Sequence, residues 1–131
     1  MLREIVLDTE TTGLDPENGD RVVEIGCVEL VNHVPTGRTW HQYLNPERAM
    51  PAEAFAVHGL GDDFLADKPR FAEIAAAFLD FVGDAGVVIH NAEFDIKFLD
   101  AELARAGHRP LGMARATDTL ALARKRFPGA P

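Results

Sequence analysis

A chain of 131 residues, 47% of them hydrophobic, is long enough to bury a core; this excludes a disordered tail and makes residues 1–131 one domain. A net charge of −8 argues against a protein that holds nucleic acid on a broad basic surface, but not against an enzyme that meets a phosphate chain through metal ions at one point. The lone cysteine, Cys27, excludes an internal disulfide and fits a reducing cytoplasm, and neither a membrane-length apolar run nor a secretory signal is expected.

Residues 3–9 read as a first strand, with Ile5-Val6-Leu7 as its apolar end. Leu14 to Asp20 is a loop, because Asp15, Pro16, Asn18 and Gly19 are turn formers. Val22 to Val31 is a second strand with Val23, Ile25 and Cys27 alternating on one face; Val22, Val28 and Leu30 make the other face apolar too. Pro35 and Gly37 mark a turn into a third strand, Thr39 to Leu44, and the spacing suits an antiparallel meander. Pro51 to His58 predicts a short helix that ends at Gly59. Phe71, Ile74, Ala75, Phe78, Leu79 and Val82 recur at helical spacing and give the clearest helix in the chain. Val87-Val88-Ile89 is a short, wholly apolar strand of the kind found at the centre of a sheet, often parallel to its neighbour. Asn91 stands as N-cap of a helix over Ala92–Ala106 closed by Gly107. Ala114 to Thr117 predicts a fifth strand, and Thr119 to Phe127 a last helix with Arg124, Lys125 and Arg126 in its final turn. The order implies an α/β fold, a three-strand antiparallel meander followed by parallel strands, with helices on the faces of a mixed sheet.

The chemistry gathers in Asp8-Thr9-Glu10-Thr11-Thr12-Gly13. Residues i and i+2 of a strand point to the same side, so Asp8 and Glu10 project together. Two like charges so placed repel and lose hydration unless a cation sits between them, and hard oxygen ligands suit Mg²⁺ or Mn²⁺ better than zinc. The alternative is that Asp8 ends the strand as a turn residue and Glu10 is solvated. A third acid, Asp95, lies in the first turn of the helix after strand 87–89, where the helix dipole favours a carboxylate. Sites in open α/β sheets gather at the carboxyl ends of strands. If the first and fourth strands are parallel neighbours, Asp95 leans over the sheet edge toward Asp8; otherwise it is an ordinary helix-start acid. His90 and Asn91 have the equally ordinary readings of strand end and cap.

The segments Asp8–Gly13 and His90-Asn91-Ala92-Glu93-Phe94-Asp95 resemble the first two motifs of the DEDD 3′–5′ exonucleases, and within them the proofreading epsilon-subunit family of bacterial polymerases. Pro51–Gly59, Thr117-Asp118-Thr119-Leu120 and Arg124–Gly129 extend the resemblance along nearly the whole chain. It implies a ribonuclease H-like sheet and two divalent metal ions, Mg²⁺ or Mn²⁺. Of four acidic metal ligands, Asp8, Glu10 and Asp95 would be three, with Asp8 bridging both ions. The resemblance further implies that Glu53, His58 and the backbone at Thr11 contact the terminal nucleotide of a single-stranded or frayed DNA 3′ end. The catalytic subunit of DNA polymerase III would be the protein partner. Phe94 and Phe98, at i and i+4, either pack on that nucleotide or lie under a neighbouring loop.

The family's third motif is a histidine followed five residues later by an aspartate, near the C-terminus of the catalytic domain. His108 does not supply it, because position 113 is Met113, and Asp118 matches a different family position. The expectation is an exonuclease domain cut before the third motif, weak or inactive alone. An exonuclease of the same superfamily acting on RNA or in repair, and a non-catalytic binding module of the same fold, are the alternatives.

Overall fold

The computed structural model describes residues 1–129; Ala130 and Pro131, counted in the expected domain, lie outside the described residues. Five strands form one sheet in the order β3-β2-β1-β4-β5: β1 (Arg3–Thr11), β2 (Val22–Val31), β3 (Val34–Tyr43), β4 (Gly86–Ile89) and β5 (Ala116–Asp118). β1 pairs antiparallel with β2, and β2 with β3, so the meander is as expected. β1 pairs parallel with β4, and β4 with β5. Among the described residues five α-helices accompany the sheet: α1 (Ala52–His58), α2 (Asp62–Leu65), α3 (Phe71–Val82), α4 (Ala92–Arg105) and α5 (Thr119–Arg126).

The strand alternation decides where the core sits. Ile5 and Leu7 of β1, Ile25 and Cys27 of β2, and Val87 and Ile89 of β4 share one buried face. The stripe Phe71, Ala75, Phe78 and Val82 of α3 and the stripe Ile96, Leu99 and Leu103 of α4 join the same core. Trp40 of β3 closes it by stacking on Phe78, with ring centroids 5.5 Å apart. The opposite face of the sheet is open around Val6 and Val28, each 38% exposed. Asp8, Glu10, Glu24 and Gly26 lie on this open face, because their register partners alternate with the buried set. The two acids of β1 therefore do not project into the core.

Four local features differ from the sequence reading. The hairpin between β2 and β3 turns at Asn32-His33, both with positive φ (50° and 68°), instead of at Pro35 and Gly37. Two consecutive left-handed residues match the twist of the flanking strands. Pro35 and Gly37 fall inside β3, where the pairing with β2 is irregular between Val28 and Leu30; an edge strand tolerates a proline there. β3 accordingly spans Val34–Tyr43 instead of starting at Thr39. The four-residue α2 is too short to show periodicity and was not expected. Asn91 occupies the cap position of α4 but its side chain makes no capping bond; its backbone is left-handed (φ 65°, ψ 55°), a conformation asparagine tolerates. The fifth strand begins two residues late, because Met113–Arg115 coils into a 3-10 turn first. Among the described residues no helix is long and apolar enough to cross a membrane.

One buried ion pair fastens α4 to the start of β2. Glu102, 2% exposed, takes two bonds from the Arg21 guanidinium through Nε (2.9 and 3.0 Å), one through Nη2 (2.7 Å), and a fourth from the Val22 N–H at 3.0 Å. Removing one partner of such a pair strands a charge and a backbone donor. The expected cost of Glu102→Ala is about 3–5 kcal/mol, read as a lowered urea midpoint with an unchanged slope. A shift equivalent to under about 1 kcal/mol would show that the pair does not fasten the two elements.

Candidate active site

The site is built at the carboxyl end of β1. Its parallel register with β4 (Glu4 to Gly86, Ile5 to Val87, Val6 to Val88) carries both strands to the same edge of the sheet. Beyond β4 the chain turns at His90-Asn91 into α4, whose first turn holds Asp95. Asp95 is 4% exposed and accepts a hydrogen bond from the Thr9 hydroxyl. Thr9 belongs to the core-facing set of β1, so Asp95 meets β1 from the covered side while Asp8 and Glu10 stand on the open side. Asp95 leans toward β1 as expected, but its immediate partner is Thr9 instead of Asp8.

The three acids nevertheless feel one another. Burial pushes the Asp95 carboxyl up to about 6, and the negative charges of Asp8 and Glu10 push it the same way, against the Thr9 bond. Glu10 is also raised, by burial first and by Asp8 second. Donor chemistry and charge thus fit a hard divalent cation: every ligand is oxygen, and a positive ion would offset the burial and the like charges that raise both groups. Among the described residues, no three histidine, cysteine or acidic side chains are already gathered closely enough to hold an ion. Asp8 and Glu10 share a face, and Asp95 remains engaged by Thr9.

Beside these acids lies a cleft of about 550 Å³. It brings together Glu10, Thr11, Glu53 and His58, four of the residues singled out in the sequence, although α1 and β1 are more than forty residues apart in the chain. His58 joins the two elements directly. Its Nδ1 accepts the Leu60 N–H at 3.0 Å, which leaves Nε2 to carry the proton and donate to the Thr11 carbonyl oxygen at 3.0 Å. Glu53 stands exposed in the first turn of α1. Part of the wall that meets solvent is apolar: Leu14 is 85% and Val57 81% exposed. Phe94 lines the cleft, whereas Phe98, 1% exposed, belongs to the core; the rings touch at 4.9 Å between centroids. Phe98 thus fits neither reading given above, since it is part of the main core, and Phe94 stands in the cleft wall while packing against that core. His90 lies outside the cleft lining and pairs through Nδ1 with the Thr119 hydroxyl at 3.0 Å.

The sequence reading missed Asp20. Its carboxylate accepts from the Thr12 hydroxyl (2.9 Å), the Asp15 N–H (3.2 Å) and Arg48 Nη1 (2.9 Å), and so shapes the loop walling the cleft. A Cβ at Gly13 would lie 2.4–2.6 Å from that carboxylate, so glycine is required there for close approach. The signal lay in Gly13, whose partner the sequence alone does not reveal.

Asp95 carries a pH prediction. Its folded pKa lies above the value of an unfolded aspartate, so the metal-free protein binds more protons folded than unfolded between about pH 4 and 6, and stability falls as pH rises through that window. Asp95→Asn keeps an acceptor for Thr9 and removes the charge. Thermal or urea unfolding in a chelator is expected to show the variant about 1–3 kcal/mol more stable at pH 7, with a flatter profile between pH 4 and 6. A variant less stable than the parent at pH 7 would contradict this.

A family model described as Exonuclease (RNase_T) matches residues 5–131. The chain is 56% identical over 131 residues to the DNA polymerase III subunit epsilon of Rickettsia felis, covering 98% of this chain and 57% of that protein. It is 50% identical over 134 residues to the same subunit of Escherichia coli, covering 97% of this chain and 55% of that one. The chain thus spans little more than half the length of these relatives. Among solved structures it is similar to Exonuclease X in complex with 5′ overhanging duplex DNA (29% identity, TM-score 0.74, all of this chain and 67% of that one). The metal-free E. coli ExoI–ssDNA complex shares the fold at 18% identity, with a TM-score of 0.85 over 97% of this chain and 30% of that one. The ribonuclease H-like architecture expected from the motifs is therefore the one observed, and the chain belongs to the exonuclease family.

Proposed function

We propose that these 131 residues form the greater part of a 3′–5′ exonuclease domain that removes nucleotides from DNA 3′ ends, in proofreading for a replicative polymerase. The observation that carries this reading is that Glu10, two residues from Asp8 on β1, lines one cleft together with Glu53, His58 and Thr9, the hydrogen-bond partner of Asp95; Asp8 and Asp95 do not themselves line it. High identity to epsilon subunits of DNA polymerase III supports DNA as the substrate and the polymerase's catalytic subunit as partner, in the cytoplasm.

In this reading Asp8, Glu10 and Asp95 hold divalent ions, Mg²⁺ or Mn²⁺. Held there, such ions would lower the pKa of a bound water and neutralise charge on the departing 3′ oxygen. The chain's own groups do the rest. Glu53, exposed on the cleft wall, accepts a hydrogen bond from the terminal 3′ hydroxyl. His58 fixes the Thr11 carbonyl and with it the backbone that the terminal nucleotide meets. Leu14, Val57 and Phe94 offer apolar surface to a base. A net charge of −8 repels the phosphate backbone, so a short end is admitted where a long duplex is not held, and a partner supplies the remaining affinity.

The general base and a fourth acidic ligand belong to the family's third motif, which His108 and Met113 do not provide. Loss of a positioned base costs a factor of about 10²–10⁴. With 5′-labelled single-stranded DNA and Mg²⁺ or Mn²⁺, a longer chain containing that motif is expected to shorten the strand from its 3′ end at least 100-fold faster than these 131 residues, and faster than it shortens RNA. Equal rates in the two chains would contradict the need for the motif. Faster cleavage of RNA would favour the RNA-directed alternative. In the longer chain, Glu53→Gln is expected to raise KM more than it lowers kcat, whereas Asp8→Asn is expected to lower kcat by at least about 10³. Wild-type kcat in Asp8→Asn would refute the role assigned to that carboxylate.

A further inference from the structure

Gly26 stands in the middle of β2, where a glycine weakens a strand. Strand glycines ordinarily serve a bulge, a sharp bend, a left-handed residue, or the close approach of another backbone or a ligand. Gly26 has no positive φ. The irregularities in the pairing of β2 lie elsewhere, at Glu10/Thr11 against β1 and at Val28/Leu30 against β3. A Cβ built at Gly26 meets nothing within 4 Å among the described residues. No group of the described chain therefore requires this glycine, and approach by something outside the chain is left.

The register shows what that would be near. Gly26 pairs directly with Asp8 on one side and with His41 on the other, on the open face of the sheet. The flanking rows on this face are filled: Val6, Val28 and Thr39 on one side, Glu10, Glu24 and Tyr43 on the other. In the middle row the side chain next to Asp8 is missing. Directly paired Cβ atoms on one face lie about 4.5–5.5 Å apart, so a side chain at 26 would occupy the volume beside the Asp8 carboxylate. A small divalent cation there needs its ligands at about 2.0–2.1 Å and keeps several waters, which requires that volume free.

We propose that Gly26 keeps the space beside Asp8 open for a divalent cation and its waters. The proposal rests on the reading of Asp8 as a metal ligand. It gives the glycine a specific signature, because a larger residue costs nothing in folding and everything it costs falls on the ion.

The test is Mn²⁺ titration of this chain, followed by the loss of the free-ion EPR signal, together with thermal unfolding in a chelator, for the parent, Gly26→Ala, Gly26→Val and Asp8→Asn. The expected result is an unfolding midpoint equal to or above the parent's in both glycine variants, with Mn²⁺ affinity reduced modestly by alanine and tenfold or more by valine. Unchanged affinity in Gly26→Val alongside weakened binding in Asp8→Asn would overturn this inference and leave the metal reading standing. Identical titrations for the parent and Asp8→Asn would overturn the metal reading itself, and this inference with it. A lowered midpoint in Gly26→Ala would show that the chain does need the glycine, and the premise would fail.

Discussion

β1 and β4 run side by side in the same direction over three residue pairs, and this short parallel ladder sets which groups meet at the sheet edge. An antiparallel β4 would send His90–Asp95 to the far end of the sheet. As it is, the chain leaves β4, turns through a left-handed Asn91, and starts α4 against the end of β1. Asp95 is then buried by the packing of α4, through Ile96, Leu99 and Leu103, on the same sheet face that Ile5 and Leu7 cover. The packing forces the carboxylate out of water, within the electrostatic influence of Asp8 and Glu10. Apolar burial stabilises the fold, and the buried acid opposes part of it. That opposition is what makes the edge receptive to a cation.

The cleft depends on a second set of ties, independent of the acids. His58 fastens α1 to the Thr11 carbonyl, and Asp20 fastens the 13–20 loop through Thr12, Asp15 and Arg48. Both ties are hydrogen bonds, and α1 buries none of its residues. Elements held this way open at lower free-energy cost than the core. The acids are thus anchored by the sheet and α4, while α1 and the 13–20 loop, which would receive a nucleotide, are tied in through polar contacts.

Much of the fold was legible because its signals are periodic. The apolar spacing of α3, the alternation of β2 and the short apolar run of β4 mark those elements, and the turns between the first three strands mark the meander; that β4 lies beside β1 is seen only in the structure. Asp8, Glu10 and Asp95 were legible as acids at strand and helix ends, where sheets of this class place sites. The misses are of another kind. The Asn32-His33 turn carries no glycine to mark its left-handed residues, whereas Pro35 and Gly37 mimic a turn from inside an irregular edge strand. Asn91 has the right residue type for a side-chain cap but serves through its backbone, whose N–H donates to Asp118. Asp20 and the hydroxyl of Thr9 work through partners distant in the chain, and no local pattern announces such a pairing.

The central claim is that Asp95, reached through α4, shares one electrostatic environment with Asp8 across the sheet edge. Carboxyl-detected NMR titration of Asp95, in the parent and in Asp8→Asn, with and without Mg²⁺, tests it most directly. The account predicts a midpoint near 6 in the metal-free parent, a lower one when Asp8 is neutralised, and a fall into or below the ordinary aspartate range when Mg²⁺ is added. An Asp95 that titrates as an ordinary aspartate in every one of these samples, indifferent to Asp8 and to Mg²⁺, would contradict it.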